Sequence, residues 1–315
     1  MKKAMVLALE HISVCVCTYK RPALLDKLLF ELLAQDCNGA FIYSIIVIDN
    51  DATKTAETIV NKYKNNGKVD IDYFIESVQN ISLARNKGIK NSRGNLIAFI
   101  DDDEYPVRNW LFSLFKAYKE FNCSGVIGPV CPIFDEESPS WAYKCNFFKT
   151  TCFSLRTGTV LKWSQLATGN VLMKKEIFDS ANDYFDPSFG NTGGEDTDFF
   201  RRICLKKDIS FIWSQEAVAY TRISEGYFNF SWIILRGLRL GGVYYKSWIR
   251  TRPFLYKIML IMKVFPILVL QVFLFPIFFI LRRNFYLTYL LRLFYEVGKI
   301  LGVFGYIYRE YDKIN

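Results

Sequence analysis

The chain has 315 residues and a net charge of +9, and 51% of its residues are hydrophobic, which is enough for a substantial core. Its one histidine, His11, nearly excludes chemistry that needs histidine as a base or as a metal ligand. The eight cysteines form no Cys-x-x-Cys pair, and the apolar run at 4–9 is too short for a signal-peptide core. We therefore expect reduced cysteines in a cytosolic compartment.

Apolar runs alternate with helical patterns through the first two thirds of the chain. Strands are predicted at 12–17, 43–48, 71–75, 96–100, 125–130, 169–173, 209–213 and 217–220. Helices are predicted at 22–33, from 53, at 80–91, 110–118 and 199–205. Strands and helices joined by short connections predict an α/β domain over residues 1–230. Its core would be a doubly wound, mostly parallel sheet flanked by helices.

Four carboxylates follow the apolar strand at 96–100, namely Asp101, Asp102, Asp103 and Glu104. The carboxyl end of such a strand is where open α/β sheets bind ligands. Two charges about 4 Å apart interact by roughly 4 kcal/mol near a protein surface, so we expect a cation here. Oxygen ligands suit Mg²⁺ or Mn²⁺ bridged to substrate phosphates. A solvated acidic turn is the alternative.

Polar residues also end the first two predicted strands, as Thr18-Tyr19 and Asp49-Asn50-Asp51. In a doubly wound sheet these ends meet at one edge, which can hold a nucleotide: an aromatic ring for the base, carboxylates for the ribose and a metal for the diphosphate. Neither a G-x-G-x-x-G motif nor a P-loop is present. We therefore expect a metal and an arginine to bind the phosphates.

The region 231–315 is predicted to be helical and membrane-associated. The segment 264–281 is apolar apart from Gln271, and at about 1.5 Å per residue its roughly 27 Å are marginally enough to cross a bilayer. Pro266 and Pro276 interrupt it, which leaves a kinked span, a re-entrant segment or an interfacial helix open. The segment 285–308 has one charged face, so we expect it to lie on the membrane. A soluble oligomerisation helix is the alternative.

Six short motifs occur in order along the chain. They are 16–22 (VCTYKRP), 47–51 (VIDND), 80–86 (NISLARN), 99–104 (FIDDDE), 168–170 (TGN) and 194–196 (GED). Together they resemble an inverting glycosyltransferase of family 2 with a GT-A fold, and in particular the branch of succinoglycan-type glucosyltransferases. The resemblance covers about residues 10 to 225.

The resemblance implies roles for individual residues. The nucleotide-binding residues would be Thr18, Tyr19, Asp49, Arg85, Asp101 and Asp102. Asp103, with Asp101, would hold Mn²⁺ or Mg²⁺; Asp196 would be the general base, with Glu195 beside it; Gly169 and Asn170 would contact the acceptor. Alternatives are a turn-forming role for Asp49, plain packing for Tyr19, a surface cation at Arg85, a structural turn at Gly169 and Asn170, and helix capping by Glu195 and Asp196.

Two departures from the family pattern bear on these roles. Asp49-Asn50-Asp51 replaces the usual Asp-Asp-Gly-Ser, so the acid that contacts the base is open. The family's Q-x-x-R-W segment is not visible, and Arg236 or Arg239 could supply its cation.

The implied function is transfer of a hexose from a nucleotide-sugar, a UDP-sugar first, to a hydroxyl of a lipid-linked glycan in surface polysaccharide synthesis. The basic excess favours a membrane surface and no nucleic acid, with the enzyme at the cytoplasmic face of the inner membrane. The alternatives are a catalytically silent glycan-binding subunit and a sugar-1-phosphate nucleotidyltransferase. The latter class carries a glycine-rich loop after its first strand, which 17–20 matches poorly.

Overall fold

The computed structural model describes residues 9–64, 67, 69–144, 155–179, 184–206, 209–280 and 283–309. The chain divides into two compact units. The first comprises residues 1–131, 151–187 and 199–221, and the second comprises 132–150, 188–198 and 222–315. The predicted C-terminal region, 231–315, belongs entirely to the second unit.

Ten strands and eight α-helices follow one another along the described chain. In order they are β1 Glu10–Thr18, α1 Pro22–Leu33, β2 Phe41–Asp49, α2 Glu57–Lys64, β3 Ile71–Ile75, α3 Ile81–Asn91, β4 Leu96–Ile100, β5 Glu104–Pro106, α4 Trp110–Phe121, β6 Gly125–Ile127, β7 Val130–Phe134, β8 Asn170–Lys174, α5 Glu195–Lys206, β9 Phe211–Trp213, β10 Ala219–Ile223, α6 Phe230–Tyr244, α7 Phe254–Ile280 and α8 Arg283–Val303.

The first unit is built on a seven-stranded sheet with the order β3-β2-β1-β4-β8-β6-β9. Strands β3, β2, β1 and β4 pair with one another in parallel, and β8 runs antiparallel to both β4 and β6. Successive side chains of a strand point to opposite faces. Leu96, Ala98 and Ile100 accordingly join the core on one face, and Ile97 and Phe99 the core on the other. The predicted mostly parallel α/β sheet is confirmed. A smaller sheet has the order β5-β10-β7.

The carboxyl ends of β1, β2 and β4 lie side by side. Strand β1 pairs in parallel with both β2 and β4, and Thr18 stands opposite Asp49 in the register. The backbone N–H of Asn50 donates to the carbonyl of Thr18 at 2.8 Å, which continues the pairing past the end of β2. The topology therefore brings the polar strand ends to one edge of the sheet.

The second unit contains three consecutive long helices. Helices α6 and α8 approach closely through glycines: a Cβ added at Gly241 would lie 2.1 Å from the carbonyl oxygen of Tyr295, and one at Gly298 would lie 2.4 Å from that of Leu238. Helix α7 continues through both Pro266 and Pro276. It begins ten residues before the predicted apolar segment. The end of that segment, residue 281, and the following Arg282 lie outside the described residues.

Candidate active site

The acidic loop after β4 is held by two arginines. Nη1 of Arg21 lies 3.1 Å from Oδ1 of Asp102 and 3.4 Å from Oδ2 of Asp103. Nη2 of Arg85 lies 3.2 Å from Oδ1 of Asp101. Arg21 immediately precedes α1 and Arg85 lies on α3, so both cations come from elements that follow a strand of the sheet. These guanidinium groups offset the mutual repulsion of the carboxylates.

Thr18 and Asp102 join the end of β1 to this loop. The Thr18 hydroxyl donates to Oδ2 of Asp102 at 2.7 Å, and both residues are buried. Burial raises the pKa of Asp102 to about 6, although the charge of Arg21 and the bond from Thr18 oppose that rise. The pair therefore fixes the position of the loop relative to the sheet.

Asp49 is fully buried, and both of its carboxylate oxygens accept hydrogen bonds. Oδ1 accepts from the backbone N–H of Asp51 at 3.1 Å. Oδ2 accepts from the backbone N–H of Ala56 at 2.9 Å and from the hydroxyl of Tyr73 at 2.8 Å. These bonds organise the turn between β2 and α2, as the turn-forming alternative expects. Because both of its oxygens accept hydrogen bonds from the protein, Asp49 positions the strand end.

Asn50 holds a second connection that the sequence did not single out. Its side-chain amide donates to the carbonyl of Glu76 at 2.9 Å, and its carbonyl accepts from the backbone N–H of Asn80 at 2.8 Å. Asn80 in turn caps α3, because its side chain accepts from the N–H of Leu83. The middle residue of the Asp-Asn-Asp motif thus connects the ends of β2 and β3 to the start of the helix that carries Arg85.

Tyr19 and Arg85 differ in exposure. The Tyr19 ring is partly exposed, and Nζ of Lys20 lies 5.3 Å from its centroid, so the ring is accessible for stacking. The Arg85 side chain is only 7% exposed, and its guanidinium lies 5.7 Å from the centroid of Phe185. The alternative of a surface cation at Arg85 is therefore wrong.

The two carboxylates that the resemblance assigns to the metal, Asp101 and Asp103, are the more exposed acids of the loop. The side chains of Asp101 and Asp103 are 44% and 35% exposed, whereas Asp102 and Glu104 are buried. Burial, and then the charges of Asp101 and Asp103, raise the pKa of Glu104 well above its usual value. Glu104 also accepts from the backbone N–H of Asp101 at 3.3 Å, which fixes the backbone at the first of the two open acids.

The open carboxylates fit a metal that is shared with a substrate. Within the described ranges, no group of three or more His, Cys, Asp or Glu side chains is close enough together to bind a metal ion by itself. Mg²⁺ is usually bound by one or two carboxylates together with substrate phosphates and waters. Asp103, with Asp101, offers that donor set.

Gly169 and Asn170 lie at the start of β8, next to the acidic loop. A Cβ on Gly169 would lie 2.4 Å from Oε1 of Glu104 and 3.4 Å from Oδ2 of Asp101, so only glycine leaves room for these carboxylates. Asn170 is buried, and its amide is occupied. It accepts from the indole N–H of Trp110 at 2.7 Å and donates to the carbonyls of Pro129 and Ala217 at 2.9 and 2.7 Å. The Asn170 side chain is thus a structural cross-link, and the backbone at Gly169 is the part of this turn that borders the carboxylates.

Glu195 and Asp196, in the second unit, lie in the first turn of α5. The sequence placed them in the loop before the helix, but the helix begins four residues earlier than predicted. Gly193 and Gly194 have φ of +72° and +84°, which lets the chain turn into the helix at this point. Acidic side chains are favourable in a first turn because of the helix dipole. Glu195 is buried and Asp196 is partly exposed, with its Oδ1 accepting from the backbone N–H of Thr197 at 2.6 Å.

Lys246, also in the second unit, contacts the loop that precedes α5. Its ammonium group donates to the carbonyl of Ser188 and lies 3.4 Å from Oγ1 of Thr192 and 4.5 Å from the ring centroid of Phe189. The sequence analysis missed this residue. Only its place in the basic stretch after α6 could have drawn attention to it.

Comparison with known proteins identifies the family. Residues 13–180 match Glycosyl transferase family 2. The succinoglycan biosynthesis protein ExoM of Rhizobium meliloti (strain 1021) is 33% identical over 236 residues, which cover 73% of each chain. The chain belongs to glycosyltransferase family 2. This family 2 glycosyltransferase uses a nucleotide-sugar donor and is related to succinoglycan and polysaccharide synthases.

Two further proteins are similar to the family 2 enzyme at lower identity. The chondroitin synthase of Pasteurella multocida (strain Pm70) is 25% identical over 228 residues, which cover 62% of this chain and 23% of that protein. The crystal structure of S. aureus TarS 1-349 in complex with UDP-GlcNAc superposes with a TM-score of 0.54 at 18% identity. The superposition covers 95% of this chain and 93% of the TarS chain. The latter likeness shows the GT-A fold of the glycosyltransferase.

Proposed function

We propose that this family 2 glycosyltransferase transfers a hexose, with inversion, from a UDP-sugar to a hydroxyl of a lipid-linked glycan in surface polysaccharide synthesis. The observation that carries the donor half of the proposal is the edge of the first unit's sheet. There Asp101 and Asp103 are partly exposed, and Thr18, which precedes the partly exposed Tyr19, bonds to Asp102 between them. The name of the succinoglycan relative supports the polysaccharide pathway, and the UDP-GlcNAc bound to TarS supports a UDP-sugar.

In the proposed donor site Tyr19 stacks on the base, and Asp103, with Asp101, would hold the metal ion that binds the diphosphate. A bound Mg²⁺ or Mn²⁺ would supply charge stabilisation for the departing diphosphate. Arg21 and Arg85 keep the acidic loop in place through their ion pairs. Thr18, Asp49 and Asp102 act through the loop and strand ends that they fix.

In the proposed transfer step Asp196 removes the proton from the acceptor hydroxyl. The acceptor oxygen then bonds to the anomeric carbon as the bond from that carbon to the diphosphate oxygen breaks. Attack opposite the leaving group inverts the configuration. The partial exposure of Asp196 supports this role, because a general base must be reachable by the hydroxyl that it deprotonates. Glu195 lies beside Asp196 in the first turn of α5, and the backbone at Gly169, which borders Asp101 and Glu104, would contact the acceptor.

The lipid-linked acceptor places the enzyme at the cytoplasmic face of the inner membrane. Support comes from the succinoglycan relative and from α7. Among the described residues this is one helix that is long and apolar enough to cross a membrane. Residues 1–230 would form the catalytic domain and residues 231–315 the membrane-association region.

The experiment is a donor screen with the full chain, Mn²⁺ and a lipid extract that contains glycan acceptors. We expect one UDP-sugar, rather than a GDP- or TDP-sugar, to release UDP together with a glycosylated lipid of inverted anomeric configuration. Release of a nucleoside monophosphate, or product of retained configuration, would overturn the proposal. A purified chain that binds glycan and turns over no nucleotide-sugar would indicate a glycan-binding subunit.

A further inference from the structure

Helix α7 has a long exposed face made only of apolar side chains. Leu255, Met262 and Val269 recur every seven residues, so they share one side of the helix, and they are 63%, 71% and 40% exposed. Neighbouring positions on this side are also apolar and exposed, among them Phe254, Phe265, Val272 and Phe273. An exposed apolar surface of this length marks an interaction site.

The opposite side of α7 packs within the second unit. Leu260 and Val264 are buried in a cluster with Tyr245, and Ile300 and Val303 of α8 pack against it. Farther along α7, the ring centroid of Phe275 lies 5.5 Å from that of Tyr286 of α8. The helix therefore has one protein-facing stripe along its length and one face left to another partner.

The charged residues on the helices on either side of α7 make a crossing of the membrane unfavourable. Helix α8 runs alongside α6, with Ile233 packed on Leu287 at one end and Tyr245 packed near Ile300 at the other. A crossing α7 would take both neighbours into the hydrocarbon. Those neighbours carry Arg236, Arg239, Arg292 and the paired Glu296 and Lys299. Each central arginine is strongly unfavourable there.

One end of the bundle is also tied to a polar segment. Trp141 is buried in the cluster that contains Ile233 and Leu287. It follows closely on Glu136 and Glu137, which are both exposed. This end of the bundle is therefore close to two exposed acids, which favours a position at a polar surface.

The positive charge of the region between residues 225 and 296 favours a negatively charged membrane surface. Between Glu225 and Glu296 the chain contains no acidic residue and ten lysines or arginines. Lys263 is exposed and lies three residues after the buried Leu260, so it borders the apolar face, whereas the half-buried Lys257 lies seven residues before Val264, on the protein-facing side. Apolar residues bordered by cations are typical of helices that lie in the interface of an anionic bilayer. A second copy of the chain would bring like charges together.

We propose that α7 lies in the plane of an anionic bilayer, with its apolar face in the headgroup–acyl boundary and without crossing the membrane. This deepens the proposed function, on which it rests only for the lipid-linked acceptor. The lipid-binding measurements below contain no sugar donor, so the two proposals fail independently.

The first test is flotation of the full chain with phosphatidylcholine vesicles, with and without phosphatidylglycerol. We expect flotation with the anionic vesicles, and a loss of about fivefold in affinity in a K263A variant, which removes one cation at the border of the apolar face. The F265E/F273E variant should not float. L205E, which places a charge at a comparably exposed leucine of α5, is the matched control and should float normally. Flotation of F265E/F273E like that of the wild type would overturn the proposal.

The second test measures insertion depth, with a fluorescent amino acid placed at 255, 262 or 269 and quenchers at known depths in the lipid. An in-plane helix gives three equal depths. The first two positions are seven residues apart, about 10 Å along a helix, so a crossing helix would give a shallow first reporter and two deep ones. That result would overturn the proposal. So would a stable dimer in lipid-free buffer that F265E/F273E dissociates.

Discussion

At the scale of single residues, the polar groups at the sheet edge divide into those that shape the edge and those that face outward. Asp49, Thr18 and Asp102 have their polar atoms engaged with neighbours on the protein. Asp101 and Asp103 remain substantially exposed. The division follows from burial, because a buried carboxylate must be paired or hydrogen-bonded and an exposed one is free of that requirement.

Asp49→Asn tests the structural role of the first acid. The amide has one acceptor oxygen in place of two, so at least one of the donors from Asp51, Ala56 and Tyr73 loses its partner. We expect a loss of about 1–3 kcal/mol in the free energy of unfolding, measured with urea. Tyr73→Phe removes one bond and should cost less. An unchanged stability in Asp49→Asn would contradict the role.

Asp102 should make stability depend on pH. Its pKa is about 6 in the folded protein, above the ordinary value of 3.8, so the folded state favours the neutral carboxyl. Its contribution to stability is complete below about pH 4 and is lost as the pH rises through 6. Two pH units correspond to at most about 3 kcal/mol. The unfolding free energy of the wild type, relative to Asp102→Asn, should therefore fall between pH 4 and pH 7. A constant difference across this range would show that Asp102 has an ordinary pKa.

At the scale of elements, the first turn of α5 has two interpretations. Glu195 and Asp196 can stabilise the helix dipole, and Asp196 is also the proposed base. Asp196→Asn should lower the rate of transfer by about 10²–10⁴-fold and leave UDP affinity and stability nearly unchanged. The control is Glu137→Gln, at an exposed acid of the same unit. If Asp196→Asn lowered the stability and left the rate of transfer normal, Asp196 would not be the base and would act only at the helix terminus.

The sequence predicted the strands of the parallel half of the sheet closely, because strands buried on both faces read as continuous apolar runs. It could not predict that β8 enters antiparallel, since pairing direction is set by the connections between strands. Nor could the sequence show whether the Asn170 side chain forms structural hydrogen bonds or contacts the acceptor substrate. The donors and acceptors that occupy it come from Trp110, Pro129 and Ala217, far away in the chain.

The prolines of α7 show the same limit. Each removes one backbone hydrogen bond, and from sequence alone that favoured an interrupted segment. The helix nevertheless runs unbroken from Phe254 to Ile280. Packing along the Leu260 and Val264 stripe stabilises it, as tertiary contacts commonly override local propensity.

At the scale of the whole molecule, the two compact units carry different parts of the proposed function. The first unit carries the sheet edge at which we propose that the donor binds. The second carries the proposed base and the bundle that we propose lies on the membrane. The central claim is that the open acids of the first unit bind the diphosphate of the donor together with a divalent cation.

Calorimetric titration with UDP tests that claim most directly. We expect the wild type to bind UDP in the presence of Mn²⁺ and to lose most of that affinity in EDTA. Asp103→Asn should bind at least about tenfold more weakly, which corresponds to about 1.4 kcal/mol. Asp36→Asn, which removes an exposed ion pair with Arg108, is the control and should bind like the wild type. Equal affinity of Asp103→Asn and wild type for UDP, with no effect of EDTA, would contradict the claim.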